Sequence, residues 1–184
     1  MAMQTTRTVA LSALTLFVAL QSASAATFSG NAQVTIYHSL SINVGAGGSA
    51  LKFGNIFRPS TGSGTVTVNA DGTESTGGGL TVTGTHSAAE FSVSGEGSAS
   101  VMISVPAFTL SGPSSASLAV TPVCLVTNNA STDPHCTSTQ TFSGGGGALT
   151  TSPIDVKVGG TITVPSSQLT GVYTGSFNVN AAYQ

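Results

Sequence analysis

Polar and apolar residues alternate from Ala26 to Val44 (ATFSGNAQVTIYHSLSINV). Phe28, Ala32, Val34, Ile36, Leu40, Ile42 and Val44 share one parity with Ala26 and Gly30, and His38 is the only polar residue in that set. Of the other parity, only Tyr37 has a large apolar body. Period two means extended chain with one face to bury. The stretch is far longer than a usual strand of about five or six residues, so it predicts two uses with a break near His38-Ser39. Leu40–Val44 is expected to be an ordinary core strand. Phe28–Ile36 is expected to be a detachable arm, and whose core it fills is the functional question.

Shorter strands are expected to follow. They are Leu51–Phe53 with Ile56, Gly64–Ala70, Leu80–Thr83, Phe91–Ser94, Ser100–Val105 and Leu118–Val126. Asp71-Gly72 is a strong reversal signal, and Gly95-Glu96-Gly97 reads as a turn with Glu96 in a turn role. Pro106 ends its strand or puts it at an edge. Thr127–Gly147 reads as a loop. Ile154–Val158 and Thr161–Val164 read as two strands flanking a turn at Gly159-Gly160. Val172–Tyr183 closes the chain as an alternating strand with Phe177, Val179, Ala181 and Tyr183 on one face. A strand reaching the chain end must pair with something, and a C-terminal core strand pairing at home is the simplest reading. No helical period follows the first 25 residues. Short strands with glycine-rich turns predict an all-β, immunoglobulin-like antiparallel β-sandwich.

Composition narrows the setting. Arg7, the apolar run Val9–Leu20 and the small-x-small Ala23-Ser24-Ala25 read as a secretory signal peptide over 1–25. An arm over 26–37 and a sandwich over 38–184 then follow. An exported protein passes through an oxidising compartment, so Cys124 and Cys136 are expected to form a disulfide. The alternative, a metal bound by Asp133-Pro134-His135-Cys136, lacks the paired spacing of a zinc site. Charged residues are 5% of the chain, against roughly 25% in ordinary domains. That leaves no basic footprint for nucleic acid. No G-x-S-x-G elbow, H-E-x-x-H or P-loop occurs, so neither enzyme activity nor a cofactor is expected.

LKFGNI (51–56), GTVTVNADGT (64–73), SAAEFSVSGEG (87–97) and VKVGGTITVPSSQLTGVYTGSFNVNAAYQ (156–184) occur in this order. Together they resemble the domain of unknown function 4402 family of secreted bacterial proteins. The cysteine loop departs from that pattern. The alternating C-terminus ending in Tyr183-Gln184 also resembles chaperone–usher pilins. That resemblance implies a periplasmic chaperone, an outer-membrane assembly pore and polymerisation with other copies of the chain or related subunits at the cell surface. Phe28, Gly30, Ala32, Val34 and Ile36 would enter a neighbour's groove, and Phe177, Val179, Ala181 and Tyr183 would form the C-terminal pairing strand. Two further readings stand beside the surface fibre. One is a monomeric exported sandwich that binds a ligand through its loops, with the arm folded into its own core. The other is a hydrolase on the same scaffold.

Overall fold

The structure is a computed structural model that describes residues 27–128, 132–150 and 152–184. The expected signal peptide lies outside the described residues. Residues 27–35 form no strand, and this segment falls in a separate unit from 36–184.

Residues 36–184 are all-β. The strands are β1 (Ser41–Val44), β2 (Lys52–Phe57), β3 (Ser63–Val68), β4 (Glu74–Gly77), β5 (Thr81–Ser87), β6 (Ala89–Ser94) and β7 (Ser100–Ser104). They continue with β8 (Phe108–Ser111), β9 (Ser117–Thr127), β10 (Thr132–Asp133), β11 (Thr137–Thr141), β12 (Ile154–Pro165) and β13 (Asn180–Tyr183). All pairings are antiparallel. The main sheet runs β1-β6-β12-β3-β4, with β9 on the other side of β12 and β8 and β10 paired to β9. A second sheet, β11-β7-β13, and a ribbon, β2-β5, complete the expected antiparallel sandwich.

The organising element is β12. Its first half pairs with β6 and its second half with β3, while β9 runs along the opposite edge. Gly159-Gly160 is therefore not a turn, and the two expected strands are one. Neither glycine has a positive φ. A Cβ on Gly159 would lie 2.0 Å from the Val68 carbonyl oxygen, and one on Gly160 would lie 2.7 Å from Val120 Cγ1. Gly159 is glycine because the backbone at the end of β3 lies against it, and Gly160 because the side chains of Val120, Leu51 and Phe53 crowd it.

Two apolar clusters fill the interior. One contains Val93, Ile103, Val126, Phe142 and Val156, and joins the main sheet to the second sheet. The other contains Val66, Val68, Val120 and Ile162, with Phe53 and Leu80 brought in from the ribbon side. Cys124 of β9 and Cys136, just before β11, form a disulfide with Cα atoms 4.9 Å apart. It staples the main sheet to the second sheet.

The Asp71-Gly72 reversal closes the β3–β4 hairpin. Gly72 sits at φ 85° and donates to the Asn69 carbonyl at 2.9 Å. Four expectations need correction besides the Gly159-Gly160 turn. The Thr127–Gly147 loop contains β10 and β11. The strands β4 and β8 appear where none was expected. Only Asn180–Tyr183 of the expected closing strand pairs as a ladder. Finally, β1 is an edge strand with all four residues exposed, not a core strand.

Candidate functional site

Two runs of backbone face each other across a cavity of about 1220 Å³. Ser49–Arg58, which contains β2, lines one side, and Gln168–Phe177 lines the other. Both runs are continuous, so residues of either parity border the space and the backbone edges face it. The floor is apolar, with Phe91, Phe108, Leu110 and Ile162. Among the described residues the outer edge of β2 has no ladder partner, whereas in the second run Thr174 exchanges both backbone hydrogen bonds with Ser111 and the Gln168 and Leu169 carbonyls accept from Arg58 and Tyr173. The ribbon strand β2 pairs only with β5, β13 pairs only with β7, and residues 175–179 belong to no strand.

The uncovered interior extends to β1. Ile42 pairs with Val93 and Val44 with Phe91. Directly opposed residues share a face, and Val93 is wholly buried while Phe91 packs on the core. Ile42 and Val44 therefore point to the inner side of the sheet. Val44 is nonetheless 60% exposed among the described residues. The C-terminal segment covers part of the gap. Phe177 stacks on Phe108 with centroids 5.0 Å apart and meets Phe91 edge-on at 5.9 Å. Val179, Ala181 and Tyr183 pack on the first cluster beside it. The groove thus lies between the run Ser49–Arg58 and the C-terminal segment.

The arm residues are placed differently. Phe28 is 98%, Val34 79% and Ile36 83% exposed. Gly30 and Ala32 are exposed as well, and none of these five belongs to a strand.

Just after the arm comes a polar cluster that the sequence did not announce. Glu96 is only 3% exposed. Its Oε2 accepts from the His38 backbone N–H at 3.1 Å and from His38 Nδ1 at 2.7 Å. Its Oε1 accepts from the Gly147 N–H. An ionised carboxylate has no proton to give, so His38 Nδ1 carries the hydrogen. The Tyr183 hydroxyl accepts from the Glu96 N–H and donates to the His38 carbonyl, both at 2.6 Å. The Tyr183 ring lies 5.4 Å from that of Tyr37. Gly95 permits this closeness, since a Cβ there would sit 2.5 Å from the Tyr183 oxygen. Glu96 does open the turn between β6 and β7, its carbonyl accepting from the Ala99 N–H at 3.2 Å, but its side chain is a buried anchor. His38 is a satisfied, half-exposed imidazole. A lone carboxylate between two glycines, in a chain with so few charges, was the signal available.

These contacts hold the Glu96 carboxyl down to about 2, below its ordinary 4.5. The His38 imidazole is the largest cause, followed by the His38 and Gly147 N–H groups, against an opposing effect of burial. A depressed folded-state value means stability that is present above the ordinary value and lost as pH falls towards the folded one. Melting temperature is expected to drop steeply between pH 4.5 and 2, and Glu96→Gln is expected to flatten that limb. Superimposable acid limbs for the two proteins would remove this role.

The other histidines each face one carboxylate. His86 Nδ1 lies 3.3 Å from Glu74, and His135 contacts Asp133. Cys136 of the Asp133-Pro134-His135-Cys136 run is taken by the expected disulfide. Among the described residues no three His, Cys, Asp or Glu side chains converge as metal ligands would.

Fold and site define a class: an antiparallel β-sandwich with an apolar groove along one side. The model of one family, domain of unknown function DUF4402, matches residues 42–183, and the chain belongs to that family. The match begins after the arm. Comparison with curated proteins and with solved structures returned no match.

Proposed function

We propose that this protein is a structural subunit of a bacterial surface fibre, assembled by β-strand addition. The arm Phe28–Ile36 of one exported copy fills the groove of the next. One observation carries the reading. The molecule has an apolar groove with the ladder-free edge of β2 along one side, and its own chain has an exposed stretch outside every strand with the alternation such a groove accepts.

The dimensions agree. The six residues of β2 span about 20 Å at about 3.3 Å per residue, and the nine residues of the arm span about 30 Å. An added strand pairs with the open edge of β2 and covers the apolar floor in one step. Burying Phe28, Val34 and Ile36 contributes about 1.5–3 kcal/mol each as an upper estimate. Gly30 would pass where the groove is shallow. A head-to-tail contact of this kind does not close on itself, so it builds a filament. A periplasmic chaperone and an outer-membrane pore would serve this assembly. The near absence of charge suits a surface that associates.

The test is removal of residues 26–36. Those of them in the structure are exposed and outside every strand, so the shortened chain should melt at the temperature of the full one. It should not form the detergent-resistant ladder expected of the full chain. A synthetic peptide of residues 26–36 should bind it and raise its melting temperature. A shortened chain that melts far lower, with only monomers in surface extracts of the intact protein, would leave the exported monomer as the better reading.

A further inference from the structure

The structure assigns His38, Glu96 and Tyr183 to a clasp that keeps the arm out of its own groove and so directs it to a second copy. This inference rests on the proposed strand addition and concerns what decides between chains.

An arm that can fill a neighbour's groove can in principle fill its own. Self-filling would end growth, because the subunit would then have neither a free donor nor an open acceptor. For residues 28–36 to turn back beside β1, the chain must reverse between Ile36 and Leu40, over Tyr37, His38 and Ser39. These are the residues held. The His38 N–H and imidazole are bound to Glu96, and the His38 carbonyl is bound to Tyr183. Tyr37 lies against the Tyr183 ring. Both backbone polar groups of His38 are thus committed to side chains, and a tight turn there would have to release them. No glycine or proline stands between Asn31 and Asn43 to ease a reversal. A turn placed earlier, at Gly30-Asn31, would leave only a stub of the arm to enter the groove.

The clasp draws on distant parts of the chain. Glu96 lies beyond the end of β6, Tyr183 is the last residue of β13, and Gly147 closes the far side of the carboxylate. It is complete only when the C-terminal strand is seated, so the root of the arm is fixed only on a finished sandwich. The three side chains are positioning residues. They contact the root of the arm and not the groove.

The experiment compares the full chain with Tyr183→Phe and Glu96→Gln. Tyr183→Phe keeps the ring and loses both hydroxyl hydrogen bonds. Glu96→Gln keeps the shape and loses the charge. The readouts are the monomer-to-ladder ratio and binding of the synthetic 26–36 peptide. Each variant is expected to shift the ratio about tenfold towards monomer, the equivalent of about 1.4 kcal/mol or one to two hydrogen bonds. Those monomers should refuse the peptide, their grooves being filled. The same substitutions in the chain lacking 26–36 should bind peptide as the unsubstituted shortened chain does, which also shows that they fold. Wild-type ladders from both variants would overturn the clasp and leave strand addition standing. Shortened chains that bind no peptide at all would overturn both.

Discussion

Gly159→Val is expected to abolish cooperative folding. The strand β12 pairs with three others of the main sheet, and at Gly159 its partner on one edge changes from β6 to β3. A Cβ there would lie 2.0 Å from the Val68 carbonyl oxygen and 2.8 Å from the Asn69 carbonyl carbon. Both are backbone atoms, so no rotamer change relieves the clash. The end of β3 would have to lift away, and with it Val66 and Val68, both wholly buried in the second cluster. Overpacking a core costs about 1–3 kcal/mol where side chains can yield. A backbone against backbone has less room, and the whole domain holds only about 5–15 kcal/mol in reserve. Gly159→Ala should already cost about 3 kcal/mol or more, at or beyond the top of that range, and valine more again. Gly145→Ala is the control, because a Cβ there meets nothing within 4 Å. It should stay within about 0.5 kcal/mol of wild type. Denaturant melts read all three, and a Gly159→Val midpoint equal to that of Gly145→Ala would remove the central role given to this crossing.

The same glycine pair shows where the sequence stops being legible. Apolar alternation located β2, β3, β6, β7 and β9 to within a few residues, because a buried face leaves a period in the chain. Asp71-Gly72 was legible because a tight reversal demands a positive φ, which Gly72 supplies. Gly159-Gly160 carries the same residue type for a different cause. Close approach of another backbone at Gly159, and of core side chains at Gly160, is a property of the tertiary fold, and two such glycines spell a turn when read locally. The strands β4 and β11 were missed for the opposite reason. ESTG and TSTQT have no apolar period, and they are strands because a neighbour offers an edge. The β1 segment was legible as extended chain but not as an edge. Its apolar residues do face inward, yet all four of its residues are exposed. Glu96 was hidden because its partners lie 58, 51 and 87 residues away. The groove itself was legible only as a surplus. The sequence contains more alternating chain than the sandwich uses, since residues 27–35 belong to no strand.

That surplus makes Val34 the sharpest place to separate folding from assembly. Val34→Asp is expected to leave the stability of the monomer unchanged and to abolish the oligomer ladder. The side chain is 79% exposed and belongs to no strand, so a carboxylate there stays in water in the free chain. In the added strand, position 34 shares a parity with Phe28 and Ile36 and would face the apolar floor of the groove. A carboxylate carried there has no cation to meet. Among the residues lining the groove the only cations are Lys52 and Arg58, at its backbone rim, and Arg58 already donates to the Gln168 carbonyl at 2.6 Å. Burial of an unpaired charge costs several kcal/mol, on top of the lost apolar contact of about 1.5–3 kcal/mol. At about 1.4 kcal/mol per decade, peptide affinity should fall by roughly a thousandfold or more. Thr35→Asp moves the same charge to the opposite parity, away from the floor, and should weaken binding far less. Titrating the shortened chain with the unsubstituted 26–36 peptide and its two substituted forms reads the difference directly. Equal affinities for the Val34→Asp and Thr35→Asp peptides would mean that the arm does not enter as a strand with one face to the core, and that the alternation from Phe28 to Ile36 has some other cause.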